Sequence, residues 1–78
     1  MKRYPVVITE YNDEGRYFVV TSPAIHGMVT QGDSLDDAKF HAKDAIETMI
    51  EDVDKDEVLN YNNWKLKEND TVAFITID

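Results

Sequence analysis

Two runs of β-branched and aromatic residues open the chain, Arg3 to Glu10 (RYPVVITE) and Arg16 to Thr21 (RYFVVT). Such residues fit a pleated backbone, where successive side chains leave on opposite faces and branching is not crowded. Between the runs lies Asn12-Asp13-Glu14-Gly15, with glycine where positive φ is needed, so the two are expected to pair as a hairpin. Pro5 has no amide to donate, so the ladder is expected either to begin after it or to leave that side free. Pro23 and Gly27 then punctuate the chain, and Met28 to Gln31 is read as a short third strand. Gly32-Asp33 is expected to reverse direction sharply, because glycine accepts positive φ without steric cost.

After this reversal the apolar period lengthens from two to that of a helix. At about 100° per residue, Leu35, Ala38, Ala42, Ala45, Ile46, Met49 and Val53 fall on one side, which predicts a helix from about Leu35 to about Val53. Ser34 starts it: its hydroxyl is placed to accept from the Asp37 amide, while the Asp37 carboxylate is expected to reach back to the Ser34 amide. The alanines would let this stripe lie close to a sheet. The outer side carries Asp36, Asp37, Asp44, Glu47 and Glu51, with Phe40 among them. The acidic run Glu51 to Glu57 ends the helix or solvates its last turns. From Val58 to Asp70, apolar Leu59, Tyr61, Trp64 and Leu66 alternate with turn-forming asparagines. This stretch is expected to start as a helix extension and to finish extended at Trp64 to Lys67. Thr71 to Asp78 (TVAFITID) is the last strand.

The order is β-β-β-α-β, an α+β, two-layer domain. A three-stranded antiparallel meander, one crossover helix and a final strand parallel to the first are expected, with the helix on one face of the sheet. The other face is left uncovered. In a 78-residue chain that can bury only a modest core, a homodimer or higher homo-oligomer is expected to hide it.

Charge narrows the function. With 8 basic and 16 acidic residues the chain carries −8, which disfavours direct contact with nucleic acid and favours a basic protein partner. There is no cysteine, hence no disulfide framework, thiolate metal site or cysteine nucleophile, a composition that fits the cytoplasm. No apolar run has the length of a signal peptide or a membrane span, so no membrane partner is expected. His26 and His41 lack metal-ligand spacing. Ser34 is a cap, and no acid stands mid-strand on the first strand where two Mg²⁺ ions would be held. The glycines are too dispersed to cradle a phosphate. Neither a catalytic residue, a metal nor a cofactor is expected. Phe40, an aromatic ringed by acids, is a candidate anchor for a basic partner, unless Trp64 or Leu66 folds over it.

YPVVI, the acidic turn ending in Gly15, YFVV followed by Pro23, GMVTQGDSLDDA from Gly27 to Ala38, and KDAI from Lys43 to Ile46 together resemble the HicB antitoxin family. The resemblance covers Tyr4 to about Ile50 and is most specific from Gly27 to Ala38. It implies a partial RNase H-like domain that acts as a non-catalytic antitoxin in a type II toxin–antitoxin pair. The implied partner is HicA, a small basic mRNA interferase, whose catalytic surface the antitoxin covers. Many members have cysteine where this chain has Met28, and relatives often append a DNA-binding domain; residues 1–78 are read as one HicB-like domain without one. Partner contact is placed, from the helical wheel and not from a family motif, on Asp36, Asp37, Phe40, Asp44 and Glu47, with Ile25 and His26 of the nearby loop. Two other readings are an orphan oligomeric regulatory module that binds some other basic protein and a residual metal-dependent nuclease.

Overall fold

The computed structural model describes residues 2–77. Strand β1 (Lys2–Asn12) turns through Glu14 and Gly15, both at positive φ, into β2 (Arg16–Thr21), and β3 (Val29–Gly32) completes the meander. Helix α1 (Leu35–Thr48) follows, then a 3₁₀ turn (Ile50–Asp52), a short helix α2 (Lys55–Leu59), a second 3₁₀ turn (Tyr61–Asn63) and β4 (Asp70–Ile77). Residue 78, the end of the expected last strand, lies outside the described residues.

The sheet order is β3-β2-β1-β4, and every neighbouring pair is antiparallel. The expected parallel final strand is therefore wrong: Asp70 stands opposite Thr9 and Ile77 opposite Lys2. The reason lies in residues 50–69. Helix α1 carries the chain from the end of β3 back to the end of the sheet where β1 begins, and a direct return would have made β4 parallel. Instead, an Ile25–Val53 bridge and a bond from the Asp54 amide to the Ala24 carbonyl (2.7 Å) hold the chain there. The segment then climbs the sheet a second time before β4 starts. Two crossings reverse the direction that one crossing would give.

The return segment is anchored residue by residue. Asp54 caps α2 by accepting from the Asp56 and Glu57 amides (3.0 and 3.2 Å), and the Trp64 indole donates to the Glu57 carboxylate (3.1 Å). Val58 and Trp64 pack against the core on the helix side. Tyr61 meets Phe74 edge to face at 5.0 Å, and Phe74 alternates with core residue Ile75, so the segment straddles the outer edge of β4.

The core joins Val6, Ile8, Phe18, Val20, Ile75 and Ile77 of the sheet to Ala38, Ala42 and Ile46 of α1, with Ala24, Ile25 and Met28 contributed by the loop between β2 and β3. Leu35, placed on the apolar stripe from the wheel, is 44% exposed. The helix stops at Thr48 and not near Val53, with Met49 as its C-cap. Its last turn has no basic residue, and Glu47, Glu51 and Asp52 put negative charge at the negative end of the dipole. Gly32 does not take positive φ. It is needed because α1 passes over it: a Cβ there would lie 2.7 Å from the Asp37 carbonyl carbon. Pro5 sits inside the ladder, opposite Phe74. Its carbonyl accepts from the Ser22 hydroxyl (3.0 Å), so the side lacking an amide faces the point where β2 has already ended, and no strand bond is lost. No helix among the described residues is long and apolar enough to cross a membrane.

Candidate functional site

Asp36, Phe40, Asp44 and Glu47 form a continuous exposed stripe along α1, on the side facing away from the sheet. The spacing i, i+4, i+8 and i+11 keeps them on one helical face. Phe40 is 70% exposed, and its ring meets that of His41 edge to face at 5.6 Å. Trp64 does not fold over it, being committed to the core and to Glu57, and Leu66 is itself exposed. An aromatic left bare between two carboxylates is thus a feature of the folded chain.

Asp37 differs from its neighbours. Its amide donates to the Ser34 hydroxyl (3.0 Å), while its carboxylate accepts from the Asp33 amide (3.1 Å) and lies 3.3 Å from His41 Nε2. The expected reciprocal bond to the Ser34 amide is made one residue earlier, and the side chain is occupied in starting the helix. Lys43, which the wheel reading passed over, is exposed beside Phe40 at i+3 and places one cation among the acids. Its lysine identity and spacing were visible in the sequence.

The loop residues separate. His26 is exposed, but Ile25 is 1% exposed, in the core and bridged to Val53. The placement of Ile25 on a contact surface is corrected accordingly: a loop isoleucine held by a β-bridge is filling space. That bridge brings His26 to the end of the sheet where α1 finishes, so the loop adjoins the Glu47 end of the stripe and not the Asp36 end.

Away from α1, Asp70 accepts from the Thr9 hydroxyl (2.6 Å) and the Lys67 amide (2.8 Å). The Thr9 bond first, then the Lys67 amide and ammonium, hold its carboxyl below the ordinary value of 3.8 against the opposing effect of burial. A groove of about 840 Å³ lies between the start of β1 and the return segment, lined by Lys2, Tyr4, Val53, Lys55, Val58 and Leu59 among others; it does not include the helix stripe. Among the described residues no group of three or more histidine, aspartate or glutamate side chains is placed to hold a metal ion.

A family model described as the HicB_like antitoxin of bacterial toxin–antitoxin systems matches residues 4–73. The chain belongs to the HicB-like antitoxin family. The match runs past α1 through the return segment and into β4, so the second crossing of the sheet lies inside the family's domain. Membership gives this HicB-like chain a non-catalytic regulatory role and a toxin as the kind of partner to look for. The UPF0150 protein Ta0767 of Thermoplasma acidophilum is 42% identical over 53 residues, which cover 68% of this chain and 74% of that protein. No solved structure gives a significant match.

Proposed function

We propose that this HicB-like antitoxin neutralises a small, basic HicA-type mRNA interferase by laying the outer face of α1 over the toxin's RNA-binding and catalytic surface. The observation that carries the reading is Phe40, bare at the middle of a face whose neighbours are Asp36, Asp44 and Glu47. A cleft that binds RNA presents cations to phosphates; a row of carboxylates matches it in charge, and −8 on the whole chain speeds the encounter. Charge alone gives little affinity where both partners are solvated. An aromatic that becomes fully desolvated at the centre of the contact supplies the anchor. The acids then orient the partner, and Phe40 holds it. His26 extends the surface at the Glu47 end, and Asp37 contributes through the helix start it builds. The same reading includes self-association into a homodimer or higher homo-oligomer, in which one domain over residues 1–78 needs no nucleic-acid contact of its own.

The test is binding to a purified HicA-type toxin, by pull-down and calorimetry. Phe40→Ala is expected to weaken binding by about 2 kcal/mol, roughly 30-fold. The triple reversal Asp36→Lys, Asp44→Lys, Glu47→Lys is expected to abolish it. All four residues are exposed, so the far-ultraviolet circular dichroism should not change. Undiminished binding by both variants would overturn the placement.

A further inference from the structure

We infer that the sheet face turned away from α1 is the surface through which two copies of this chain meet, back to back. This deepens the self-association in the proposed function by naming its surface, and it does not depend on where the toxin sits. An antiparallel sheet with one solvated face ordinarily alternates apolar inward and polar outward. Here the register puts Val29, Thr21, Val7 and Val72 in one row across all four strands, all on the side opposite the core residues Val6, Val20 and Ile75. Toward one end of that face Tyr11 and Tyr17 stack at 5.3 Å, and toward the other the Arg3 guanidinium lies 4.7 Å from the Phe74 ring. Tyrosine, phenylalanine and arginine are the residues enriched at protein interfaces, where lysine, glutamate and aspartate are depleted.

Charge says what covers it. The chain has 16 acidic residues, yet along the strands only Asp70 belongs to this face, at its corner, with its carboxylate already bonded to Thr9 and Lys67. No lysine or glutamate of the four strands points there. Two copies of a −8 chain repel wherever their carboxylates are brought together, and this face brings together almost none. A basic partner, by contrast, finds its carboxylates on α1. Strands about 4.8 Å apart, rising about 3.4 Å per residue, make the face roughly 19 by 27 Å, on the order of 500 Å² per copy. Specific interfaces bury about 800 Å² per partner. The pair is therefore at the small end of stable interfaces, and its dimer should be concentration-dependent. Packed as two sheets about 10 Å apart, it leaves both α1 helices outward, giving an antitoxin that can hold two toxins at once.

Sedimentation equilibrium of the full chain, without toxin, tests this. The wild type is expected to pass from one to two chain masses as concentration rises. The pair Val19→Glu/Val72→Glu, two half-buried positions on this face, should stay monomeric, and the milder Val19→Thr/Val72→Thr pair, which keeps the branched shape if the first fails to fold, should raise the dissociation constant at least about tenfold. Phe40→Glu, on the opposite side, should dimerise as the wild type does. A wild type monomeric throughout, or a dimer indifferent to both valine pairs, overturns the proposal. So does loss of toxin binding by a valine pair with the mass of the free protein unchanged, which would give the face to the toxin. Failure of dimerisation with toxin binding intact leaves the α1 reading standing.

Discussion

Gly32 and Phe40 are eight positions apart and make opposite demands on the fold. At Gly32 the helix backbone passes so close that a methyl group would lie 2.7 Å from the Asp37 carbonyl carbon and 2.8 Å from the Ala38 Cα. Backbone cannot give way as a side-chain tip can, so Gly32→Ala is expected to destabilise by about 2 to 3 kcal/mol, read as a lower urea midpoint. Phe40→Ala removes a ring that the fold does not use, and its midpoint should stay within about 0.5 kcal/mol of wild type. Asp70 adds a pH dependence. Its folded carboxyl titrates below the ordinary 3.8, so its stabilising contribution is complete above that value and is lost as the pH falls from there through the lowered one. Asp70→Asn should flatten this acid limb in urea midpoints measured between about pH 5 and about pH 2. Glycine at position 32 was plain from the sequence, but the reason for it was not: turn chemistry suggested positive φ, and only the packing of α1 shows that space is what it supplies.

The return segment is the element on which the topology depends. Trp64 holds it twice, by packing on the core and by its bond to Glu57. Trp64→Ala should cost about 2 to 4 kcal/mol. The same tryptophan is the only one in the chain, so its emission in urea reports on this segment; a transition coincident with that of circular dichroism would show that the segment unfolds with the sheet. Helix α1 was legible from Ser34 onward because capping and the alanine stripe are local signals, and its cap is where the spacing put it. Its end was less so. Apolar spacing continues to Val53, but charge at the dipole's negative end and the bridge of Val53 to Ile25 stop the helix at Thr48. The same bridge removed Ile25 from the expected contact surface, since a strand-like contact far along the chain has no local signature.

Across the molecule, the two faces of one sheet divide the charge. The acids lie mainly on α1, the loops and the return segment, while the back of the sheet has one, at a corner. Binding led by carboxylates should weaken as salt rises, and sheet packing led by valine and tyrosine should not. Raising ionic strength from about 0.05 to about 0.5 M is therefore expected to reduce toxin affinity while leaving the dimer constant unchanged or tighter. Measured side by side on the same preparation, these opposite responses distinguish the two surfaces.

Local chemistry determined the succession of elements, the helix start, the acidic face around Phe40 and the family, because turns, caps, side-chain period and motif are each written within a few neighbouring residues. Direction and burial were decided elsewhere. Whether β4 runs with or against β1 depends on how residues 50–69 are held to the sheet, by Val53 on Ile25, Trp64 on Glu57 and Tyr61 on Phe74. These contacts join residues whose meeting no periodicity specifies, and only the folded chain brings them together.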